Sequence, residues 1–118
     1  MATIFWAGDS TVQYNDILTF PQTGIGQVMN LFLKPEVRVE NHAKNGRSTK
    51  SFIDESRLTP IYDKITAGDF LFIQFGHNDE KSMPDRHTDP GSTFDANIAN
   101  CANGLWPAYS GALFLRKR

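Results

Sequence analysis

The segment Phe70-Leu71-Phe72-Ile73-Gln74-Phe75 constrains the fold more than any other part of the chain. It follows a Gly68-Asp69 turn signal and is apolar at nearly every position. That is the pattern of a strand covered on both faces rather than one with a solvated side. A strand of this kind needs partners in its own sheet and helices above and below it. The chain supplies both. Thr3 to Ala7 is a short β-rich run that stops at Gly8-Asp9-Ser10, and Val37 to Glu40 is a second that ends at Asn41-His42-Ala43-Lys44-Asn45-Gly46. Between them, Ile25 to Leu33 places its apolar residues near helical spacing before Pro35 stops it. Ser51 to Glu55 and Ile61 to Ile65 read as two further short helices, separated by Pro60. Strand, helix, strand, helix, strand is the order of a parallel sheet with crossover helices, so the expected class is α/β.

A chain of 118 residues has room for one modest domain. Its 40% hydrophobic and 21% charged residues are those of an ordinary globular protein. Twelve Lys and Arg against thirteen Asp and Glu leave a net charge of −1, with no cationic field to hold a phosphate backbone, which argues against a nucleic-acid partner. The basic end Arg116-Lys117-Arg118 is too short to change that. Cys101 is the single cysteine, so neither an intrachain disulfide nor an all-cysteine zinc site can form. No stretch approaches the roughly 20 apolar residues of a membrane span, and no membrane partner is expected. Met1-Ala2-Thr3 runs into Ile4-Phe5-Trp6 without a cationic region, which is not a secretory signal, so the chain as written reads as cytoplasmic.

In an open parallel sheet, ligands bind beyond the carboxyl ends of the strands. All three ends here carry polar tips: Gly8-Asp9-Ser10-Thr11, Asn45-Gly46-Arg47-Ser48 and Gly76-His77-Asn78-Asp79. A hydroxyl, a glycine-bearing loop and a carboxamide would meet on one rim. Acyl transfer asks for such a set, a nucleophilic oxygen and donors aimed at a developing oxyanion. Glycine leaves its backbone N–H open to approach, and an asparagine amide donates without bringing a charge.

These residues resemble a known family. Ala7-Gly8-Asp9-Ser10-Thr11-Val12, Asn45 to Phe52 (NGRSTKSF) and Gln74-Phe75-Gly76-His77-Asn78-Asp79 are similar to the first three sequence blocks of the SGNH (GDSL-type) hydrolases. The nearest likeness is to the rhamnogalacturonan acetylesterase branch, which has Thr, as at Thr11, where the eponymous motif has Leu. The resemblance runs from about Thr3 to Ile98. It implies a three-layer α/β/α, flavodoxin-like sheet, truncated to about the N-terminal half, with strand one between strands two and three. It implies a serine ester hydrolase, a carbohydrate O-acetylesterase acting through an acyl-enzyme, with an acetylated carbohydrate or other small ester as substrate and no cofactor. Carried over by position, Ser10 is the nucleophile. The N–H groups of Ser10 and Gly46 and the side-chain amide of Asn78 form the oxyanion hole.

The departures from the family are equally specific. Its general base is a histidine in an Asp-x-x-His block near the C-terminus of a chain about twice this length, and that block is absent here. None of His42, His77 and His87 stands three residues after an aspartate. Residues 1–98 therefore read as a partial hydrolase domain and 99–118 as an atypical tail without helical or strand period. A truncated gene product or a shifted reading frame near Ala99 would account for both. Lys81 to Thr93 reads as a surface loop, and Thr93 as the N-cap of a helix reaching Ile98. With three recognisable strands, the third is expected to be an exposed edge prone to mispairing, and a stable monomer is not expected.

Each candidate also has a structural reading. Ser10 could cap the turn after strand one, Asp9 could hold the Ser10 loop through backbone hydrogen bonds, and Gly46 and Asn78 could be turn residues. His42 reads as structural, His77 as an ordering partner and His87 as a loop residue. Two other functions compete. Asp9, His42, His77, Asn78 and Asp79 could serve a metal-dependent phosphoesterase, although its usual Asp-x-His opening is missing. The chain could also be a carbohydrate-binding remnant that keeps the rim without the base.

Overall fold

The structure, a computed structural model, describes residues 2–88, 106–108 and 113–116. Five strands form one sheet: β1 (Thr3–Gly8), β2 (Arg38–Asn41), β3 (Phe70–Gln74), β4 (Trp106–Ala108) and β5 (Leu113–Arg116), in the order β2-β1-β3-β5-β4. The expected arrangement is found: β1 lies between β2 and β3 and runs parallel to both. In register, Ile4 pairs with Val39 and Phe70, and Gly8 stands beside Gln74. The carboxyl ends of the three strands therefore come out at one edge.

Alternation along the strands explains the apolar composition of β3. Phe5, Ala7, Leu71 and Ile73 point to one face, where they pack with Phe52, Ile61 and Ile65 from α2 (Thr49–Asp54) and α3 (Thr59–Lys64) and the loop that follows. Ile4, Trp6, Phe70 and Phe72 point to the other face and meet Val12, Met29, Leu33 and Ala43. Trp6 stands edge-on to Phe72 at 5.1 Å, and its indole N–H points to Met29 Sδ at 3.3 Å. Both faces of the sheet are thus covered, giving the three-layer α/β class read from the sequence.

The first helix is shorter than its spacing suggests. Only Ile25–Val28 is α-helical (α1), and Met29–Phe32 tightens to a 3₁₀ turn. Gly24 at the N-cap supplies no side-chain bond, and Gly26 is a weak helix former. Both glycines are set by packing against the loop after β1, because a Cβ at either would meet Val12 atoms at under 3 Å. Helix α2 starts two residues earlier than expected. Ser48 caps it, accepting from Ser51 N–H at 3.1 Å while Ser51 Oγ accepts from Ser48 N–H at 2.8 Å, a reciprocal capping box.

Two expectations about the C-terminal tail are corrected. The tail contributes strands, and β3 is not a bare edge: β5 pairs with it antiparallel, Phe70 opposite Arg116 and Ile73 opposite Leu113, and β4 pairs with β5. An unpaired strand edge is a row of unmet donors and acceptors, and a short apolar segment such as Leu113-Phe114-Leu115 can satisfy it in either direction. Its sequence is too short to show a period. Pro107 falls in β4, the outermost strand, where a missing N–H is tolerated. The helix expected from Thr93 to Ile98 lies outside the described residues. Among the described residues, no helix is long and apolar enough to cross a membrane.

Candidate functional site

The residue after β1 organises the first tip. Asp9 is buried, and its Oδ1 accepts from Thr11 N–H at 2.9 Å and from Thr11 Oγ1 at 2.6 Å. Its carbonyl accepts from Val12 and Gln13 N–H, both at 3.1 Å. These four bonds wrap the chain tightly around Ser10. Asp9 thus plays the loop-holding role weighed for it, and its carboxylate is committed to the turn. Among the described residues nothing bonds the Ser10 hydroxyl or its N–H, so Ser10 is not a cap. It is half-buried at the rim.

The second tip, Lys44 to Arg47, is drawn against the first. Lys44 N–H donates to Gly8 O at 3.1 Å, and Asn45 N–H donates to the Gln13 side-chain oxygen. Gly46 sits at φ +77°, in the left-handed region that side chains disfavour. The next residue secures this turn. Arg47 Nη1 donates to Asn45 O at 2.8 Å, and its Nη2 and Nε reach Glu55 Oε1 at 2.9 and 3.2 Å. The Arg47 hydrogen bond, with Arg57 assisting, holds the Glu55 carboxyl below its ordinary value. Gly46 N–H has no partner among the described residues.

The third tip is held against the second. Asn78 is 4% exposed, and its Nδ2 donates to Arg47 O at 3.2 Å, which orients the amide and leaves its second N–H for another acceptor. Asp79, 3% exposed, accepts from Thr49 N–H at 3.1 Å and from the Thr49 hydroxyl, tying the tip to the start of α2. Gln74 Nε2 donates to Thr11 Oγ1 at 2.7 Å, linking β3 back to the first tip. The second tip is therefore hydrogen-bonded directly to the other two, the first is bonded to the end of β3, and Ser10, Gly46 and Asn78 each belong to one of the three tips.

Sequence reasoning named these three residues but missed the ones that hold them: Gln13, Arg47, Thr49 and Gln74. Gln74 carried a signal, since it is the one polar residue in an otherwise apolar strand. The pairings made by Gln13 and Thr49 span 30 residues or so and leave no local trace.

The histidines do not converge on the rim. His42 stacks on Phe5, with ring centroids 6.3 Å apart, and its Nε2 is 3.3 Å from Glu40 Oε1. Burial pushes the Glu40 carboxyl up, but the Lys64 and His42 contacts outweigh it and the net shift is downward. This matches the structural reading of His42. His77 is exposed, and His87 Nδ1 lies 3.1 Å from Lys81 O. The ligand set for a metal site is not assembled either. Asp9 is committed to Thr11, His42 faces Glu40, and Asp79 faces Thr49. No three His, Cys, Asp or Glu residues among those described gather as metal ligands.

No protein-family model matches the chain. Individual relatives do. The chain is 50% identical over 91 residues to the rhamnogalacturonan acetylesterase RhgT of Bacillus subtilis, covering 77% of this chain and 38% of that protein. It is 34% identical over 128 aligned positions to the rhamnogalacturonan acetylesterase of Emericella nidulans, covering 98% of this chain and 48% of the relative. Its backbone superposes on the crystal structure of YxiM from B. subtilis with a TM-score of 0.75 and 27% identity, over 86% of this chain and 28% of the other. The chain spans less than half the length of the curated relatives it matches.

Proposed function

Since the N-terminal part of this chain is homologous to the rhamnogalacturonan acetylesterases, the branch of the SGNH hydrolases that its three blocks resemble, we propose that it serves hydrolysis of acetyl esters on a carbohydrate. The observation that carries the reading is the set of bonds that joins the three tips through Lys44, Asn78 and, from the end of β3, Gln74. It presents a Ser10 hydroxyl and the N–H groups of Ser10 and Gly46, none of them bonded among the described residues, beside an amide already oriented by Arg47 O. Donors fixed before the reaction stabilise an oxyanion without reorganising.

In the proposed step, Ser10 Oγ attacks the acetyl carbonyl. The carbonyl oxygen gains negative charge and is met by the N–H groups of Ser10 and Gly46 and by Asn78 Nδ2. Collapse of this intermediate expels the sugar alkoxide and leaves acetyl on Ser10, and water then releases acetate. The Ser10 proton must pass to a base and then to the leaving oxygen. The family's base is the histidine of the Asp-x-x-His block, which these 118 residues do not contain. In subtilisin, losing the equivalent histidine costs about a million-fold in kcat. This chain should therefore acylate slowly and deacylate more slowly still.

That imbalance gives the test. Incubated with p-nitrophenyl acetate, the chain should release at most about one equivalent of p-nitrophenolate in a burst and carry an acetyl group on Ser10 by peptide mass spectrometry. Ser10→Ala should show neither, and EDTA should change nothing. An identical time course for the two proteins, with no adduct on Ser10, would overturn the proposal.

A further inference from the structure

A run of side-chain amides leads from α1 to the turn that carries Gly46. The peptide unit between Asn45 and Gly46 is planar, so the direction of the Gly46 N–H is set by how that unit is held. Arg47 Nη1 takes its carbonyl, Asn45 O, at 2.8 Å. On the other side of the same residue, the Asn45 N–H donates to Gln13 Oε1. Gly46, at φ +77° and without a side chain, adds little restraint of its own.

The Gln13 bond has a polarity that something must set. A carboxamide is oxygen at one end and N–H at the other, with nearly the same shape either way round. Turned over, Gln13 would oppose its own N–H to that of Asn45. Asn15 decides between the two. Its Oδ1 accepts from Gln13 Nε2 at 3.3 Å, and its Nδ2 donates to Gln13 O at 3.0 Å. Asn15 is itself clamped by the Gln27 side chain from α1. Gln27 Oε1 accepts from Asn15 N–H at 3.0 Å, and Gln27 Nε2 donates to Asn15 O at 2.7 Å. Asn15 is 6% exposed, although Tyr14 and Asp16 on either side are exposed. A buried asparagine with its N–H, its carbonyl and both ends of its side chain engaged cannot turn over without leaving a polar group unmet.

We infer that Asn15 is a positioning residue for the Gly46 donor. It turns the Gln13 amide so that oxygen, not nitrogen, meets the Asn45–Gly46 turn, and Gln27 holds it in place to do so. The inference rests on the acetylesterase reading for its chemical consequence and deepens it, since none of these three residues touches the reacting atoms. A donor displaced from its aim stabilises the oxyanion less while leaving ester binding as it was.

Two readouts test this, one of which needs no turnover. Hydrogen exchange followed by NMR should show the Asn45 N–H exchanging at least about tenfold faster in Asn15→Ala, with the amides inside β1 and β3 unchanged. In the burst with p-nitrophenyl acetate, the acylation rate constant of Asn15→Ala should fall about ten- to a hundredfold at unchanged ester affinity. Asn15→Asp, near pH 7 where its carboxylate is ionised, keeps the acceptor for Gln13 Nε2 and loses the donor to Gln13 O. It should recover most of both losses, whereas a purely structural role for Asn15 predicts that Asp fails as Ala does. Gln13→Ala should slow acylation as much as Asn15→Ala, and the double variant no further, because Asn15 acts through Gln13. Unchanged Asn45 exchange in Asn15→Ala, equal losses in the Ala and Asp variants, or additive losses in the double variant would each overturn the inference. A parent chain that forms no Ser10 adduct, with the exchange pattern as expected, would refute the esterase reading and leave the positioning of the turn standing.

Discussion

Gln74 Nε2 donates to Thr11 Oγ1 at 2.7 Å, and the same hydroxyl donates to Asp9 Oδ1 at 2.6 Å. The last residue of β3 and the buried carboxylate after β1 are therefore joined through one threonine, and Ser10 lies inside that link. Thr11→Val keeps the shape and removes both hydroxyl bonds. The pair is near solvent, so the stability cost should be modest, about 0.5–1.5 kcal/mol in urea unfolding. The Ser10 acylation rate should fall by more than stability alone explains. An unchanged rate would mean that the link supports the fold but not the nucleophile.

Much of this arrangement was legible in the sequence, and the boundary has a physical cause. The strands were readable because their burial on both faces writes an apolar run into Phe70–Ile73 and into Ile4–Ala7. That Ser10, Gly46 and Asn78 follow three strand ends on one edge was readable because strand ends in a parallel sheet converge, so polar residues after each strand share a rim. The bonds that fix them were not, since Gln13–Asn45 and Thr49–Asp79 join residues 30 or more apart by chemistry that many other pairs could supply. The antiparallel β5 was missed for a related reason. Four residues carry little periodicity, and only the edge of β3 gives them a role.

Asp69 should make stability fall in acid. Burial raises its pKa, but N–H bonds from Thr66 and Thr3, at 2.9 Å each, and the Thr66 hydroxyl at 3.0 Å outweigh it and hold the carboxyl below the ordinary value near 3.9. A depressed folded pKa means that the unfolded chain binds the proton first. The stabilisation is thus present above the ordinary aspartate pKa and is lost as pH falls through the folded value. Asp69→Asn should be less stable than the parent at pH 7, and the gap between their urea midpoints should shrink below about pH 4. A gap of constant size would show that Asp69 contributes through shape alone.

Gly24 is expected to tolerate no side chain. A Cβ there would lie 2.2 Å from Gln13 O and 2.4 and 2.5 Å from Val12 C and O, all backbone atoms that cannot rotate away. Relief would have to displace the segment that begins at Ser10 and includes the Gln13 side chain reaching Asn45. Gly24→Ala should cost about 1–3 kcal/mol, as overpacking does, and should lower Ser10 acylation along with stability. Retained stability would place the loop in a different path from the one described.

The pair formed by Thr49 and Asp79 should carry the largest polar coupling at the rim. Both side chains are buried, Asp79 Oδ1 takes the Thr49 N–H and hydroxyl, and Asp79 Oδ2 has no partner among the described residues. A buried carboxylate with few donors depends on each of them, so removing one hydroxyl leaves a charge short of solvation rather than a neutral gap. Thr49→Val should cost about 1–3 kcal/mol. Asp79→Ala should cost a similar amount, by freeing the start of α2 and the Asn78 tip together. In the double variant the second substitution should add little, because its partner is already gone. A double-mutant cycle from urea unfolding should therefore return a coupling of at least about 1 kcal/mol. Additive losses would mean that Asp79 holds the rim through Thr49 N–H alone, and that the hydroxyl serves its other neighbour, Thr88.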